Sequence, residues 1–295
     1  MEKSLLTKID FYKEKYITEI ISLKYSTNTI NTYLFILEQL YEFLVKYEEV
    51  IELKDINKEI FIEFINSNQN LSNSSKQLRI TVLKLFFKYI EQFDDKYDFI
   101  KEFSDIKIKK QQKNIESLHQ NEINRLLGLF KRTSTSFNQN RDKLLITILI
   151  FTGVRATELL NIKFSDITNL DENVFKIKIL GKGNKERYVY ISKDKIINEI
   201  NFLRKYNLIY LASANNSHKQ ISRGGLFRMI KNKMKKANID KQGIHILRHT
   251  FAKSLVAKNV NLSTIKELMG HENIATTMLY AKTDERSMIK AIELL

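Results

Sequence analysis

The last third of the chain groups side chains that can bind, protonate and attack a phosphate. His245 and Arg248 lie three residues apart, so a helix would place them on one face. His271 follows Gly270, a residue that can end a helix in the left-handed conformation, and Tyr280 comes nine residues later. The group offers proton donors, a fixed positive charge and a nucleophilic phenol, without a pair of carboxylates to hold a metal. These residue types suit phosphoryl transfer without a metal ion.

Two upstream motifs extend this pattern. Residues 152–159 read TGVRATEL and carry Arg155, and residues 181–187 read GKGNKER and carry Lys182. With the H-x-x-R and G-H motifs and the downstream tyrosine, they resemble the tyrosine recombinase, or lambda integrase, family in both type and order. The GKGNKER run is similar to the hairpin of bacterial Xer-type recombinases. This resemblance covers almost the whole chain and is most specific from Gly153 to Tyr280.

The resemblance implies a set of six catalytic residues: Arg155, Lys182, His245, Arg248, His271 and Tyr280. The two arginines would neutralise the phosphate, because a guanidinium stays charged and can bind two oxygens at once. Tyr280 would attack phosphorus, with His245 as general base. The product would be a 3′-phosphotyrosyl bond and a free 5′-hydroxyl. Lys182 would protonate that leaving oxygen, and His271 would hydrogen-bond the phosphate.

Two neighbouring residues have more than one interpretation. His245 and His249 have the i, i+4 spacing of a zinc pair, but the glutamate of H-E-x-x-H is missing and no third ligand is evident. No metal and no cofactor are therefore predicted, and His249 is interpreted as structural. Glu158 lies one turn from Arg155 and could orient it, or it could cap a helix or lie at the surface.

Composition limits the class of protein. A chain of 295 residues predicts two domains. It has no uninterrupted apolar run of about 18 residues, and its first residues do not resemble a secretion signal. The absence of cysteine excludes disulfides and thiolate metal sites. A cytoplasmic protein with no membrane contact is expected.

Charge is distributed unevenly along the chain. Residues 1–104 carry 14 lysines and arginines against 17 acidic residues, a net charge of −3. Residues 105–295 carry 35 against 17, a net charge of +18. Such a field attracts polyanions and makes their binding salt-dependent. An AT-rich coding sequence would also enrich lysine, so composition alone leaves nucleic acid binding open.

The periodicity predicts a mainly α fold in two domains. Residues 1–104 are expected to form a helical core-binding domain, with helices over 3–22, after Ser26 or Thr27, from Lys54 and after Ser74–Ser75. In the resembled family this domain clamps DNA. Residues 105–115 are a basic linker, and residues 116–295 form the catalytic domain.

The catalytic domain is expected to be mixed helical with a small antiparallel β-hairpin. Helices are predicted over 121–130, over 141–151 and from Arg155. Alternating residues predict strands over 173–180 and 186–191, joined by a glycine-rich turn. Residues 222–236 form the most basic helix, whose polar face could lie in a DNA groove.

Seven basic residues are candidate DNA contacts: Lys76, Arg79, Lys84, Arg223, Arg228, Lys231 and Lys235. The first three lie in the fourth predicted helix, where a solvated polar face is the alternative. The other four lie in the basic helix, where charge density favours a nucleic acid contact.

The predicted function is site-specific recombination of double-stranded DNA, in chromosome-dimer resolution or in mobile-element integration and excision. A type IB topoisomerase and a non-catalytic architectural DNA-binding protein are the alternatives. The resemblance implies a homotetramer on two DNA sites, with the tail after Tyr280 docking on a neighbouring protomer or packing on its own domain. A requirement for a second recombinase or a DNA translocase is left open.

Overall fold

A computed structural model describes residues 5–46, 52–93, 98–108, 115–130, 134–181, 185–214, 217–271 and 273–280. The chain divides into two compact units, Met1–Lys113 and Asn114–Leu295. Each unit has a separate hydrophobic core. In the part of the chain so described, no helix is long and apolar enough to cross a membrane.

The first unit is helical throughout its described residues. Its helices are α1 Leu5–Ser22, α2 Thr27–Val45, α3 Lys58–Asn66, α4 Asn73–Glu91 and α5 Phe99–Phe103. Ser26 caps α2 as the sequence predicts, through a bond from the Thr29 N–H. The helix expected from Lys54 begins later, because Asn57 caps α3 and Lys54 lies in a short 3₁₀ turn. Aromatic side chains, including Phe61, fill the core.

The second unit combines helices with one sheet. Its helices are α6 Gln120–Gly128, α7 Phe137–Thr152, α8 Ala156–Asn161, α9 Ile197–Arg204, α10 Arg223–Lys236, α11 Ile244–Ala257, α12 Leu262–Met269 and α13 Ile274–Met278. Strands β1 Ile167–Asn169, β2 Val174–Leu180 and β3 Glu186–Ser192 form an antiparallel sheet in that order. The predicted fold class, mainly helical with a small antiparallel sheet, is confirmed.

Helix α7 forms the centre of the second core. It is buried along most of its length and packs against α9, α11 and β3. Its apolar run from Leu144 to Phe151, interrupted only by Thr147, is therefore covered by neighbouring elements. Strands β2 and β3 turn their alternate residues, such as Ile177 and Val189, into the same core. The hairpin is thereby fixed against the helices that carry the candidate site.

Two helices end in glycines with left-handed backbones, and both ends lie at the candidate site. Gly153 follows α7 with φ of 64°, and a Cβ there would collide with the Phe251 ring. Gly270 follows α12 with φ of 60°, as the sequence predicts. Left-handed backbone favours glycine because other residues carry a Cβ that crowds the carbonyl. Each glycine turns the chain sharply and exposes carbonyl oxygens that a helix would otherwise use.

Candidate active site

Arg155 and Arg248 meet at the turn after α12. Nη2 of Arg155 donates to the Gly270 carbonyl at 2.9 Å, and Nη2 of Arg248 donates to the adjacent Met269 carbonyl at 2.7 Å. Nη1 of Arg248 also donates to the Gly153 carbonyl. Residues far apart in the sequence are thus drawn together by two helix ends. Arg155 keeps 39% of its side chain exposed, whereas Arg248 is buried.

A single buried carboxylate holds Arg155 in place. Glu158 accepts from Nη1 of Arg155 at 2.8 Å and from the Arg155 backbone N–H at 2.7 Å. It also accepts from both Nη atoms of Arg187, at 2.9 and 2.8 Å. Burial alone would raise the pKa of Glu158, but the bonds from Arg187 and Arg155 outweigh it and lower that pKa. Glu158 is therefore an ionised link between two guanidinium groups.

The environment of Arg248 is strongly positive. Burial, followed by the proximity of Arg155, lowers the pKa of Arg248 to about 10. The guanidinium still carries its charge at neutral pH. A concentration of buried positive charge is costly for the free protein, and an anion placed there would relieve this cost. The arrangement thus favours a phosphate.

Tyr280 is buried beside α11, and its hydroxyl contacts a histidine. A 2.7 Å hydrogen bond joins this hydroxyl to Nδ1 of His249, and the phenol is 7% exposed. Burial raises the pKa of Tyr280, an effect that Arg248 opposes. His245, the histidine that the resemblance makes the base, is exposed on the first turn of α11. The structure therefore pairs the candidate nucleophile with His249, for which the sequence predicts a structural role.

Both histidines on α11 favour the neutral form. Partial loss of hydration of its ring, then Arg223 and Arg248, lowers the pKa of His245. Burial, then His245 and the basic residues nearby, lowers the pKa of His249. Either imidazole is therefore unprotonated near pH 7 and able to accept a proton.

His271 is buried next to the arginine pair. Its Nδ1 lies 2.9 Å from the hydroxyl of Thr277, which fixes the ring between α12 and α13. Burial first, and then Arg248 and Arg155, lowers the pKa of His271 to about 4. The ring is thus neutral and can offer an N–H to a phosphate oxygen.

Two predicted features lie outside the described residues. Lys182 lies between β2 and β3 in the sequence, and the tail beyond Tyr280 contains the segment expected to dock on a neighbour. Among the described residues, no group of three or more histidines, aspartates or glutamates is arranged to hold a metal ion.

The predicted DNA contacts divide into two groups. On α10, the side chains of Arg223, Arg228, Lys231 and Lys235 are exposed. The opposite side of that helix, which includes Leu226 and Ile230, is buried in the core. The last three cations follow i, i+3, i+7 spacing and form one stripe, here called the α10 stripe: Arg228, Lys231 and Lys235.

The candidates in the first unit all have hydrogen-bond partners within that unit. Arg79 is buried, and its guanidinium donates to the Phe64 carbonyl and to Gln39. Lys84 donates to the Ser104 and Ile106 carbonyls, in the segment that follows α5. Both cations therefore have hydrogen-bond partners within the fold, and their contact with phosphates stays a prediction. Lys76 is half-buried and donates to Asn66.

Some site residues could not be identified from the sequence. In the sequence, Arg187 is only the last residue of the GKGNKER motif. The sequence pattern assigns no catalytic role to His249 or Thr277. Their partners lie 29, 31 and 6 residues away in the chain. The only local signal in the sequence is the spacing of His249 one turn after His245 on the same helix face.

Comparisons with known proteins find relatives that match most of this chain. The model of the phage integrase family matches residues 116–286, and that of the phage integrase SAM-like domain matches residues 11–94. Tyrosine recombinase XerH of Campylobacter jejuni subsp. jejuni is 31% identical over 271 residues, covering 86% of this chain and 75% of the relative. Tyrosine recombinase XerC of Leptospira interrogans is 25% identical, covering 91% and 87%.

Solved structures give the same result. The post-cleavage complex of the XerH site-specific recombinase with a palindromic difH substrate has a TM-score of 0.75 and 26% identity, covering 90% of this chain and 79% of that one. A lambda integrase dimer bound to a COC′ core site has a TM-score of 0.69 at 16% identity, covering 93% and 97%, and shares the fold.

The chain belongs to the phage integrase family, because the model of that family matches residues 116–286, more than half of the chain. Within it, the chain is a tyrosine recombinase most similar to the Xer type, and thus an enzyme that breaks and rejoins DNA strands.

Proposed function

We propose that Tyr280 cleaves one strand of duplex DNA at a specific site and is joined to its 3′ phosphate. One observation carries this proposal. Arg155 and Arg248 donate to neighbouring carbonyls of one turn, and that turn leads directly into His271. The convergence gathers two cations and a neutral imidazole, with Tyr280 in the same small apolar cluster as Met269.

The residues divide the reaction among them. Arg155 and Arg248 neutralise the charge that grows on the non-bridging oxygens, and His271 donates a further hydrogen bond. Tyr280 must lose its proton before it attacks, and its raised pKa makes a base necessary. The resemblance makes His245 the general base. Transfer of the Tyr280 proton to His245 therefore requires the hydrogen bond between Tyr280 and His249 to break.

Lys182 completes the scheme by protonating the 5′ oxygen as the P–O bond breaks. The phosphotyrosyl bond retains the energy of the broken phosphodiester. The 5′-hydroxyl of another strand can therefore reverse the step without a high-energy cofactor, which turns cleavage into recombination.

The relatives support a proposal for the DNA substrate. XerH is seen with difH DNA, and a further relative is a XerC recombinase. We infer that this chain acts at a Xer-type site in chromosome-dimer resolution, with the α10 stripe on the phosphates. Recombination of a plasmid carrying two copies of the chromosomal site tests this inference. Relaxation without exchange of the sites would instead indicate a topoisomerase.

Strand exchange further requires several protomers. We propose a homotetramer on two sites, held by the tail from Ile289 to Leu295 docking in trans. Deleting that tail should leave single-strand cleavage intact and abolish recombination. Recombination at the parental rate by the truncated protein would show that the tail packs in cis.

The nucleophile is tested with a suicide substrate nicked near the scissile phosphate. The short 5′-hydroxyl fragment should diffuse away and leave protein on the 3′ end. Tyr280→Phe removes the attacking oxygen, so the adduct should vanish while DNA affinity persists. An adduct that survives in this variant, or that maps to another tyrosine, would overturn the assignment.

A further inference from the structure

Arg187, on β3, is a largely buried cation of the site that the proposed reaction leaves without a role. Its guanidinium donates two hydrogen bonds to the Glu158 carboxylate, at 2.9 and 2.8 Å. The carboxylate side chain is 4% exposed and that of Arg187 is 16% exposed. A buried two-pronged pair of this kind is held far more firmly than a surface ion pair.

The same carboxylate also binds Arg155, so two cations share one anion. Without Arg187, Glu158 would pair with Arg155 alone and cancel its charge. With Arg187 present, one positive charge of this trio remains uncompensated. Arg155 is the more exposed of the two cations, and it is therefore the one able to deliver that charge to a phosphate.

Arg187 also lies against the turn that holds both catalytic arginines. A Cβ on Gly270 would stand 2.9 Å from Nε of Arg187, and this Nε has no hydrogen-bond partner among the described residues. The Gly270 carbonyl in turn accepts from Arg155. The guanidinium thus fills the space between Glu158 and the Gly270 turn, and it sets the distance between them.

The third connection runs to the hairpin. Gly181 and Lys185 close the turn through a 2.8 Å backbone bond. A Cβ on Gly181 would lie 3.9 Å from Nη1 of Arg187 and 4.0 Å from Glu158. Gly181, which precedes Lys182 in the sequence, therefore lies next to the Arg187–Glu158 pair.

We propose that Arg187 is a positioning residue for DNA cleavage, which fixes Arg155 and the Gly270 turn and keeps the charge of Arg155 available to the scissile phosphate. This inference rests on the proposed function. Arg187 touches neither the phosphate nor Tyr280 in this scheme. Its effect reaches the reaction through Glu158 and Gly270.

Single-turnover adduct formation on the suicide substrate tests the role. Arg187→Gln should slow adduct formation about 100-fold, comparable with the loss of a charge-stabilising donor, because Glu158 then neutralises Arg155. Affinity for the DNA should change only a few-fold, since many other cations bind the backbone. Arg187→Lys keeps the positive charge but cannot donate two parallel hydrogen bonds to Glu158. Its rate of adduct formation should therefore lie between those of Arg187→Gln and the parent.

Charge compensation gives a sharper second test. The double variant Glu158→Gln/Arg187→Gln removes the anion together with its partner, so it should cleave faster than Arg187→Gln alone. It also avoids an unbalanced buried carboxylate, which keeps the test valid if the single variant folds poorly. A methylphosphonate at the scissile position, which lacks the negative charge, should narrow the gap between Arg187→Gln and the parent. A merely structural residue would produce neither rescue.

Lys178→Gln is the matched control. Lys178 lies on the same hairpin, and its partner is Glu186 in an exposed ion pair at 2.9 Å. Its replacement should leave adduct formation unchanged. The inference is wrong if the parent forms the adduct and Arg187→Gln forms it at the parental rate. It is also wrong if the double variant forms the adduct more slowly than Arg187→Gln. A parental protein that forms no adduct would overturn the proposed function and this inference together.

Discussion

At the scale of single residues, the partner of Tyr280 is the feature with the most direct consequence. The Tyr280 hydroxyl is buried and bonded to His249. A buried hydroxyl that loses its partner costs about 1–3 kcal/mol. His249→Phe should therefore lower the free energy of unfolding by that amount. The double variant with Tyr280→Phe should lose less than the sum of the single losses, as measured by urea unfolding. Strict additivity would mean that the bond contributes nothing in solution.

His271 gives the site a pH dependence of stability. Its pKa falls to about 4 in the folded protein from an ordinary value of 6.5. The unfolded chain therefore binds a proton first as pH falls, and stability is lost between pH 6.5 and 4. The loss amounts to about 3 kcal/mol at most.

The measurement for His271 is urea unfolding at several pH values. His271→Gln should flatten the slope of stability against pH in that window. His245 and His249 have lowered pKa values too, so part of the slope should remain. Glu158, whose pKa is also lowered, acts only below about pH 4.5 and should leave this window unaffected. An unchanged slope in His271→Gln would contradict the assignment.

Residue types are easier to predict than residue partners. His271, Arg248 and Tyr280 stand out because their types and spacing fit one chemistry. Arg187 and His249 acquire their contacts only when β3, α8, α11 and the end of α13 pack together. The sequence predicts Arg79 on the polar face of its helix, where it could contact DNA. The structure buries it, because its burial depends on packing that the helix sequence does not show.

At the scale of elements, the two left-handed helix ends position the arginines. Gly270→Ala would force a Cβ against the guanidinium of Arg187, and its backbone would be strained at φ of 60°. Strain of this kind costs about 1–2 kcal/mol. Displacement of the Gly270 carbonyl should also release Arg155. We expect lower stability in thermal unfolding and slower adduct formation together.

Gly128→Ala is the control for this prediction. Gly128 ends α6, has no positive φ, and nothing lies within 4 Å of an added Cβ. Alanine there should leave stability unchanged or raise it by up to about 1 kcal/mol. Equal losses in Gly128→Ala and Gly270→Ala would show that the left-handed turn has no special role.

Elements with strong patterns can be predicted, and weak ones cannot. The cap of α2, the strands β2 and β3, and the break at Gly270 follow from local chemistry. Strand β1 has three residues, and α9 is short with a mixed pattern, so neither has a clear period. Ser72, ahead of the expected Ser74, caps α4, because neighbouring serines offer equivalent caps in the sequence.

At the scale of the whole molecule, the second unit carries all of the net charge. Residues 1–113 have 18 lysines and arginines and 18 acidic residues, which balance. Residues 114–295 have 31 and 16, a net charge of +15. Electrostatic attraction of DNA is therefore concentrated in the unit that contains the candidate active site.

The α10 stripe is expected to provide much of this attraction. Removing one phosphate contact lowers the slope of log affinity against log salt by about 0.9. Replacing Arg228, Lys231 and Lys235 with glutamine should therefore reduce the slope by about 2 to 3, if each cation neutralises one phosphate. The measurement is duplex binding by fluorescence anisotropy between low and physiological salt.

The control removes the same charge elsewhere in the second unit. Arg204, Lys205 and Lys258 are exposed and lie outside α10. Their replacement by glutamine changes the net charge equally but should leave the salt slope nearly unchanged, because the slope counts the counterions released by contacted phosphates and distant charges release few. Equal reductions in the two triple variants would mean that net charge alone attracts the DNA. A reduction confined to the α10 variant would identify that helix as an element that contacts DNA phosphates, since the slope would then depend on where the cations lie.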